Sequence, residues 1–349
     1  MSANKLGRRD FLKRATAVTA AVPAAFSFEE QILLAHQQPP GGGRGRGRGQ
    51  IVVEEVAGPM PMGRLGPYQV SRLIAGHNLV GWQAHARDLI YVSQLLRNYF
   101  TDDKVLQTYR MYEEVGINAS YLRIEGRSVE LAKKYDAQGG KLQWIAQLVI
   151  NEKDQQRDLD IALEIGAKIG YIRGLEGDRF WKAGRMDVVA AGIENAKKAG
   201  MVIGLATHSL DPLIAADKAG GLGADFYMKT FNAAQYWSAG APRTPDPNWK
   251  PSEEQLVQAE YEPGSHDNIW ETTPRQTAEF FAKIEKPFVA YKVLGAGAIH
   301  PIDGFKYAFA NGADFVSVGM YDFQLREDVN VTKKLFADKI AERTRPWRA

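Results

Sequence analysis

The sequence contains no cysteine among its 349 residues. Disulfide bonds, thiolate catalysis, cysteine-ligated zinc and iron–sulfur clusters are therefore excluded as the basis of its stability or chemistry. A strong charge of one sign is also absent, because the formal net charge is only +3 and much of the positive excess lies before residue 51. A nearly neutral domain is not typical of nucleic-acid binding, so we expect no nucleic-acid partner.

Long hydrophobic runs are absent as well. A membrane-spanning helix needs about 20 apolar residues, whereas the apolar run at residues 15–26 is shorter and contains Thr16, Thr19 and Pro23. We therefore do not expect this run to span a membrane, and no other segment is a better candidate.

Paired arginines precede that run, in the order Arg8-Arg9-Asp10-Phe11-Leu12-Lys13. The motif and the mildly apolar segment after it resemble a twin-arginine export signal. The resemblance implies export of the folded protein by the twin-arginine translocase to the periplasm or the extracellular space. Tethering to the membrane through an uncleaved signal is an alternative. We assign residues 1–36 to this signal segment.

A stretch rich in glycine, proline and arginine follows, in which Arg44, Arg46 and Arg48 alternate with glycine. Such a composition cannot bury apolar surface, so we interpret residues 37–65 as a tether. The remaining residues, 66–349, are enough for one large domain with a complete core.

Short β-branched runs alternate with helical patterns along this domain, which predicts parallel strands joined by crossover helices. Eight such units favour a (β/α)8 TIM barrel, a fold of about 250 residues. We expect a single α/β domain with a long aromatic-rich loop after the sixth strand. The predicted strands are 72–76, 119–124, 144–149, 169–173, 202–207, 225–229, 288–293 and 315–319.

Nearly every predicted strand end carries polar or charged residues. In this fold the active site lies where strands end and loops begin, and burying such groups is costly unless they are paired or functional. Together they favour an active site over a scaffold, while each alone is equally consistent with a structural ion pair. The residues are His77, Asn78, Arg123, Glu125, Gln147, Arg173, Glu176, Asp178, His208, Lys229, Lys292, Met320, Tyr321 and Asp322.

Several segments resemble the aldo/keto reductase superfamily, namely residues 66–76, 103–118, 203–209, 290–297 and 311–320. The resemblance implies a barrel oxidoreductase that uses NADP or NAD to act on a carbonyl or a sugar. It also implies that the cofactor phosphates lie near Gly295, Ala296, Gly297, Gly319 and Met320.

The chain departs from that family at the strand ends that carry its proton donors. Residues 121–123 read Tyr-Leu-Arg in place of the expected Asp-Thr-Ala signature, and Gln147 replaces the expected lysine. We therefore expect non-standard proton donors, with His208 or Glu125 as the acid–base group.

The loop 295–297, together with Gly319, also fits a general phosphate cradle, because small residues let backbone N–H groups approach an anion. Tight packing between a strand and the next helix explains the same residues equally well.

Two lysines at strand ends support a different chemistry. We expect Lys229, if it is desolvated and close to Lys292, to attack a carbonyl as the free amine, as the position of the lysine in Schiff-base aldolases implies. The alternative is an ion pair of either lysine with Glu176 or Asp322.

A divalent metal is a third hypothesis. His208, His77, Glu176 and either His300 or His266 could supply imidazole and oxygen ligands from separate strands.

The loop from residue 230 to residue 273 is rich in tryptophan, tyrosine, proline and acidic residues. Loops of this length are uncommon and usually serve as lids or binding elements. Rings such as those of Trp237 and Trp270, with carboxylates beside them, suit stacking on sugar faces. A subunit interface in a homo-oligomer is the alternative.

These observations lead to three functional hypotheses. The first is an exported aldo/keto-reductase-like oxidoreductase with a carbonyl or sugar-like small-molecule substrate. The second is a nicotinamide-independent lyase, isomerase or hydrolase of sugar-like substrates that uses Lys229 or a His208-centred metal. The third is a periplasmic carbohydrate-binding barrel without catalysis. The predicted catalytic residues are His208, Lys229, Glu125, Glu176 and Lys292, and the predicted substrate contacts are His77, Asn78, Arg123, Arg173, Gln147, Trp237 and Trp270.

Overall fold

The computed structural model describes residues 55–83, 85, 91–234, 271–338 and 343–349. The chain divides into two units, Met1–Val52 and Val53–Ala349, and the described residues all belong to the second. The predicted signal segment, the predicted tether up to residue 54, Trp237, His266 and Trp270 lie outside the described residues.

Eight parallel strands close into a barrel, which confirms the predicted (β/α)8 fold. Neighbouring strands follow the chain order, and the last strand pairs with the first to close the circle. Every strand overlaps its predicted range, with boundaries that differ by at most two residues. The barrel strands are β3 (Leu73–Ala75), β4 (Ala119–Arg123), β5 (Gln143–Leu148), β6 (Ile169–Ile172), β7 (Val202–Thr207), β8 (Phe226–Thr230), β9 (Phe288–Tyr291) and β10 (Phe315–Val318).

An antiparallel hairpin precedes the barrel and was not predicted. It consists of β1 (Met62–Leu65) and β2 (Tyr68–Ser71). Strand β1 lies within residues 37–65, whose composition predicts a tether. Strands of four residues carry too few positions for an alternating pattern to distinguish them from a linker.

The helices are α1 (Val92–Tyr99), α2 (Asp102–Glu114), α3 (Gly126–Ala137), α4 (Arg157–Glu164), α5 (Gly174–Lys182), α6 (Met186–Lys198), α7 (Asp211–Lys218), α8 (Pro274–Phe281), α9 (Pro301–Ala310) and α10 (Leu325–Ala337). Local sequence explains several of their starts. The hydroxyl of Thr101 accepts a hydrogen bond from the backbone N of Lys104 and caps α2, and Pro301 opens α9. Helix α5 was not predicted, because Gly174 and Gly177 give it low helix propensity. Within the described ranges no helix is both long and apolar enough to cross a bilayer.

The strands bury both faces, and alternation of side chains separates a lumen face from a helix-facing side. The lumen cluster contains Ile74, Ala119, Tyr121, Ile145, Ile169, Tyr171, Ala206, Phe226, Met228, Val289 and Phe315, together with Leu65 and Val70 of the hairpin. The intervening strand residues pack with the helices in a second, larger cluster. The barrel interior is thus a filled core, and the hairpin closes its N-terminal end.

The residues 343–349 are fixed at that same N-terminal end by a buried carboxylate. Asp314, fully buried directly before β10, forms ion pairs of 2.8 Å with Arg343 and with Arg345. The backbone carbonyl of Asp314 accepts a 2.9 Å hydrogen bond from Arg72 Nη1. The guanidinium of Arg72 also lies over the ring of Trp347, 4.4 Å from its centroid.

Candidate active site

A polar layer lies above the apolar lumen cluster, at the C-terminal ends of the barrel strands. Side chains two positions beyond a lumen residue on the same strand face the lumen again. Its members are Arg123, Gln147, Arg173, His208, Thr230, Tyr291 and Ser317, of which the first four were predicted from sequence. We call these seven residues the lumen mouth. Buried Arg123 Nε and Thr230 Oγ1 have no hydrogen-bond partner among the described residues.

His208 is held at the end of β7 by Asp178 of α5. Asp178 Oδ2 lies 2.7 Å from His208 Nδ1, and the same carboxylate accepts hydrogen bonds from the backbone N–H groups of His208 and Ser209. Side-chain exposure is 9% for His208 and 14% for Asp178. Because a carboxylate only accepts hydrogen bonds, we assign the proton to Nδ1, which makes Nε2 the basic nitrogen.

Tyr291 approaches His208 from β9 and was not predicted as a site residue. The two rings are 5.6 Å apart at 67°, and the tyrosine hydroxyl donates a 2.8 Å hydrogen bond to the carbonyl of Thr207. Gly174 permits this approach, since a Cβ there would lie 2.8 Å from Tyr291 Oη and 3.0 Å from His208 Cε1. The position of Tyr291 at a strand end could have identified it as a site residue. An aromatic ring at the end of an apolar strand, however, has the same pattern as a core residue.

The predicted catalytic residue Glu176 is the counter-ion of Arg173. Its two carboxylate oxygens accept from Arg173 Nε at 2.7 Å and from Nη2 at 2.8 Å, and the glutamate is 2% exposed. This bidentate pair neutralises one of the two lumen-mouth arginines with a fixed, buried charge.

Arg123 has a different partner. Its guanidinium pairs with Glu125, a predicted acid–base residue whose side chain is 54% exposed, while that of Arg123 is 7% exposed. On the neighbouring strand, Gln147 lies opposite Arg123 in the sheet register and donates a 2.8 Å hydrogen bond to the hydroxyl of Tyr171.

Lys229 lies on the opposite face of β8 from the lumen residue Met228, against the helices. It is fully buried, and its Nζ lies 2.7 Å from Glu271 Oε2 and 2.8 Å from the carbonyl of Thr230. This is the ion pair predicted as the alternative to a nucleophilic lysine, with Glu271 as the partner in place of Glu176 or Asp322. Schiff-base chemistry at Lys229 would require this closed pair to open and the lysine to reach the lumen.

Lys292 follows Tyr291 directly and has a left-handed backbone, with φ of 57°. Its carbonyl accepts a hydrogen bond from Asn232 Nδ2 at 3.1 Å. The other proposed partner, Asp322, forms its ion pair with Lys104. The ion pair of Lys229 is therefore with Glu271, a carboxylate other than the two named from sequence.

His77 also faces away from the lumen. Its neighbours Ile74 and Gly76 alternate onto the lumen side, whereas His77 Nε2 lies 2.8 Å from Ser128 Oγ of α3. Burial, with the nearby charges of Arg123 and Arg127, lowers the pKa of His77 to about 3. The next residue, Asn78, hydrogen-bonds to His85 at 2.9 Å. Both lie beside the lumen mouth without belonging to it.

Replacing His77 with glutamine is expected to make the stability less sensitive to acid. The folded pKa of about 3 is below the unfolded value of about 6.5, so the unfolded state binds a proton first as the pH falls. This group therefore removes about 2 kcal/mol from the free energy of unfolding between pH 7 and pH 5. Urea unfolding at the two pH values measures this effect. In His77→Gln the free energy of unfolding is expected to fall between pH 7 and pH 5 by about 2 kcal/mol less than in the wild type.

The matched control for this experiment is His300→Gln, which removes a partly exposed histidine at the cap of α9. An equal decrease in the pH dependence of the free energy of unfolding in both variants would contradict the role assigned to the buried His77.

Four N–H groups of the loop predicted to bind cofactor phosphates form hydrogen bonds within the loop itself. The amides of Gly295, Gly297, Ala298 and Ile299 all donate to carbonyls within residues 292–295. Beyond the loop, α9 starts with a proline that has no N–H and is capped by His300. These hydrogen bonds fit tight packing, the alternative to a phosphate cradle, and the binding of cofactor phosphates by this loop stays a prediction.

The other two predicted cofactor contacts also have packing roles. A Cβ on Gly76 would lie 2.6 Å from the backbone N of Gly319, so these two glycines let β3 and β10 approach closely at their ends. Met320 is fully buried in the helix-side cluster.

A metal site was the third hypothesis. Within the described part of the chain, no three histidine or acidic side chains come close enough together to hold a metal ion. The carboxylate of Asp178 lies beside His208, and His300 lies 3.7 Å from Glu327 on α10.

Comparisons with known proteins identify the fold alone. No protein-family model and no curated protein matches the sequence. A Pseudomonas aeruginosa structure described as an aldo-keto reductase has 16% identity and a TM-score of 0.49, covering 79% of this chain and 94% of that one. An aldo/keto reductase from Brucella melitensis has 12% identity and a TM-score of 0.48, covering 78% and 92%. A truncated 3-deoxy-D-arabino-heptulosonate 7-phosphate synthase from Thermotoga maritima has 13% identity and a TM-score of 0.46, covering 81% and 94%. One fold carries many different reactions, so a (β/α)8 barrel does not by itself select a reaction.

Proposed function

We propose that this barrel is an enzyme that transfers a proton to or from a carbonyl or sugar-like small molecule, with His208 as the acid–base group. The contact of 2.7 Å between His208 Nδ1 and Asp178 Oδ2 carries the proposal. The proposal includes export of the folded enzyme through the signal segment 1–36.

The pair has the arrangement that general acid–base catalysis requires. Asp178 orients the ring and stabilises the imidazolium that forms when Nε2 takes a proton, while its bonds to two backbone N–H groups keep the carboxylate in place. A substrate C–H or O–H at Nε2 would therefore meet a positioned base. After proton transfer the same nitrogen acts as the acid.

The rest of the lumen mouth suits a polarised substrate oxygen. Arg123 and Arg173 supply guanidinium N–H donors, with Glu176 neutralising the charge of Arg173, and the Tyr291 hydroxyl lies on the same side as His208. Guanidinium groups placed around a carbonyl stabilise the negative charge that develops when a neighbouring carbon loses its proton. An isomerase or a lyase uses this kind of proton transfer.

A nicotinamide-linked reductase is the second candidate, supported by the segments that resemble aldo/keto reductases. The loop amides donate hydrogen bonds to carbonyls within residues 292–295, which favours the proton-transfer enzyme over the reductase. A cofactor phosphate bound at this loop would have to replace those hydrogen bonds.

Deuterium exchange tests the proposal without a known substrate. The full-length protein is incubated in D2O with simple ketoses, aldoses and 2-oxo acids, and loss of the proton next to the carbonyl is followed by ¹H NMR. We expect exchange for at least one compound, and a rate about 100- to 10,000-fold lower for His208→Gln and for Asp178→Asn.

His300→Gln is the matched control and is expected to keep the wild-type rate. Equal rates in His208→Gln and wild type would contradict the proposal. Oxidation of NADPH by the same compounds, without exchange, would support the reductase instead.

A further inference from the structure

The two arginines of the lumen mouth differ in how they are neutralised. Arg173 is bound through two nitrogens by Glu176, which is 2% exposed and cannot reach water. Arg123 is bound through one nitrogen by Glu125, whose side chain is 54% exposed. A buried pair that loses a partner leaves an uncompensated charge, whereas an exposed carboxylate can rotate into water at small cost. Glu125 is therefore the counter-ion that can leave.

Arg123 also keeps an unused donor. Its Nε is buried and has no hydrogen-bond partner within the described ranges, although a guanidinium has five N–H donors in a planar fork. A buried N–H without an acceptor costs free energy that a ligand acceptor would recover. The fork geometry matches two oxygens of a carboxylate or a phosphate.

Two described residues beside Arg123 on the barrel wall are uncharged and would not repel such a ligand. Tyr121, two positions below on the same strand, is buried, and burial raises its pKa well above the usual value, so its hydroxyl stays neutral. Gln147, opposite in the sheet register, is a neutral amide. The carboxylates of Glu176 and Asp178 are each engaged by their own partners, Arg173 and His208.

We propose that Arg123 binds an oxyanion group of the substrate, a carboxylate or a phosphate, and that this group displaces Glu125. This rests on the proposed function and narrows its substrate class from carbonyl or sugar-like compounds to anionic ones. Glu125 then acts as a built-in competitor that occupies the guanidinium in the absence of substrate.

The test is calorimetric titration of the full-length protein with inorganic phosphate and, separately, with acetate, at low ionic strength. We expect saturable binding of at least one anion at a single site. Arg123→Gln is expected to weaken it by about 10-fold or more, and Arg123→Lys by less, because lysine keeps the charge without the fork. Glu125→Gln is expected to strengthen it several-fold by removing the competitor.

Arg110→Gln, on the exposed side of α2, is the control that loses the same charge outside the barrel. Equal weakening in Arg110→Gln and Arg123→Gln, no strengthening in Glu125→Gln, or no saturable binding of either anion would each overturn the proposal. Tighter binding of phosphate than of acetate would assign a phosphorylated substrate, and the reverse order a carboxylate.

The anion site and the acid–base pair can fail separately. In His208→Gln we expect anion binding at the wild-type affinity, because Arg123 and Glu125 are unchanged. Anion binding without deuterium exchange would leave the Arg123 site standing and refute the acid–base role. Deuterium exchange without anion binding would refute the Arg123 site and leave the acid–base role standing.

Discussion

Replacing Asp314 with asparagine is expected to lower the free energy of unfolding by about 3–5 kcal/mol. The carboxylate is fully buried and forms ion pairs of 2.8 Å with Arg343 and Arg345. It also accepts hydrogen bonds of 2.9 Å from the backbone N–H groups of Phe288 and Arg348. Burial lowers the pKa of Arg343 to about 10. Burial therefore disfavours the charged guanidinium, and the negative charge of Asp314 offsets that effect. An amide in its place leaves the cations without a counter-charge.

Urea unfolding of the full-length protein measures this effect. The control is Asp338→Asn, which removes a carboxylate of the same kind from an ion pair with Lys334 in which both side chains are about 60% exposed. Exposed pairs contribute about 0–1 kcal/mol, so we expect little change. A similar decrease in the free energy of unfolding in the two variants would contradict the conclusion that Asp314 holds residues 343–349 to the barrel.

Glu271→Gln is expected to have a comparable effect, about 3–5 kcal/mol, because it leaves the fully buried Lys229 without its partner. Glu271 also accepts from the backbone N of Thr273 at 2.8 Å, which fixes the start of α8. Lys229→Met alone is expected to destabilise similarly, since it leaves a buried carboxylate instead. Thermal and urea unfolding of both single variants measure the two losses.

Combining Lys229→Met with Glu271→Leu is expected to recover much of that loss, because an apolar pair of similar volume needs no counter-charge. The double variant should also retain deuterium exchange if the pair is structural. A stable but inactive double variant would contradict this and return Lys229 to the catalytic residues. Lys133→Met, from an exposed pair with Glu164, is the surface control and should change stability by less than about 1 kcal/mol.

Much of the candidate site could be predicted from sequence, because a barrel brings its strand ends to one rim. His208, Arg123, Arg173 and Gln147 all lie in the lumen mouth as expected. Tyr291 was missed, since an aromatic residue at the end of an apolar strand has the same pattern as core.

The partners of these residues could not be predicted. Asp178 reaches His208 because α5 folds back over the end of β7, and neither the helix nor the pairing has a signature at a separation of 30 residues. The same holds for Lys229 and Glu271, which are 42 residues apart. Side-chain pairs this distant in sequence are set by packing of the elements that carry them.

The sequence by itself determined the eight strands of the barrel and the rim at which polar side chains gather, since period and strand length are local properties of the chain. Only the tertiary structure decided which face of each strand is the lumen. In a parallel barrel both faces are buried, so Tyr227 on the helix side and Met228 in the lumen are both apolar, and hydrophobicity does not mark the inside. Closure of the barrel fixes that choice, and it places Lys229 among the helices and His208 over the lumen.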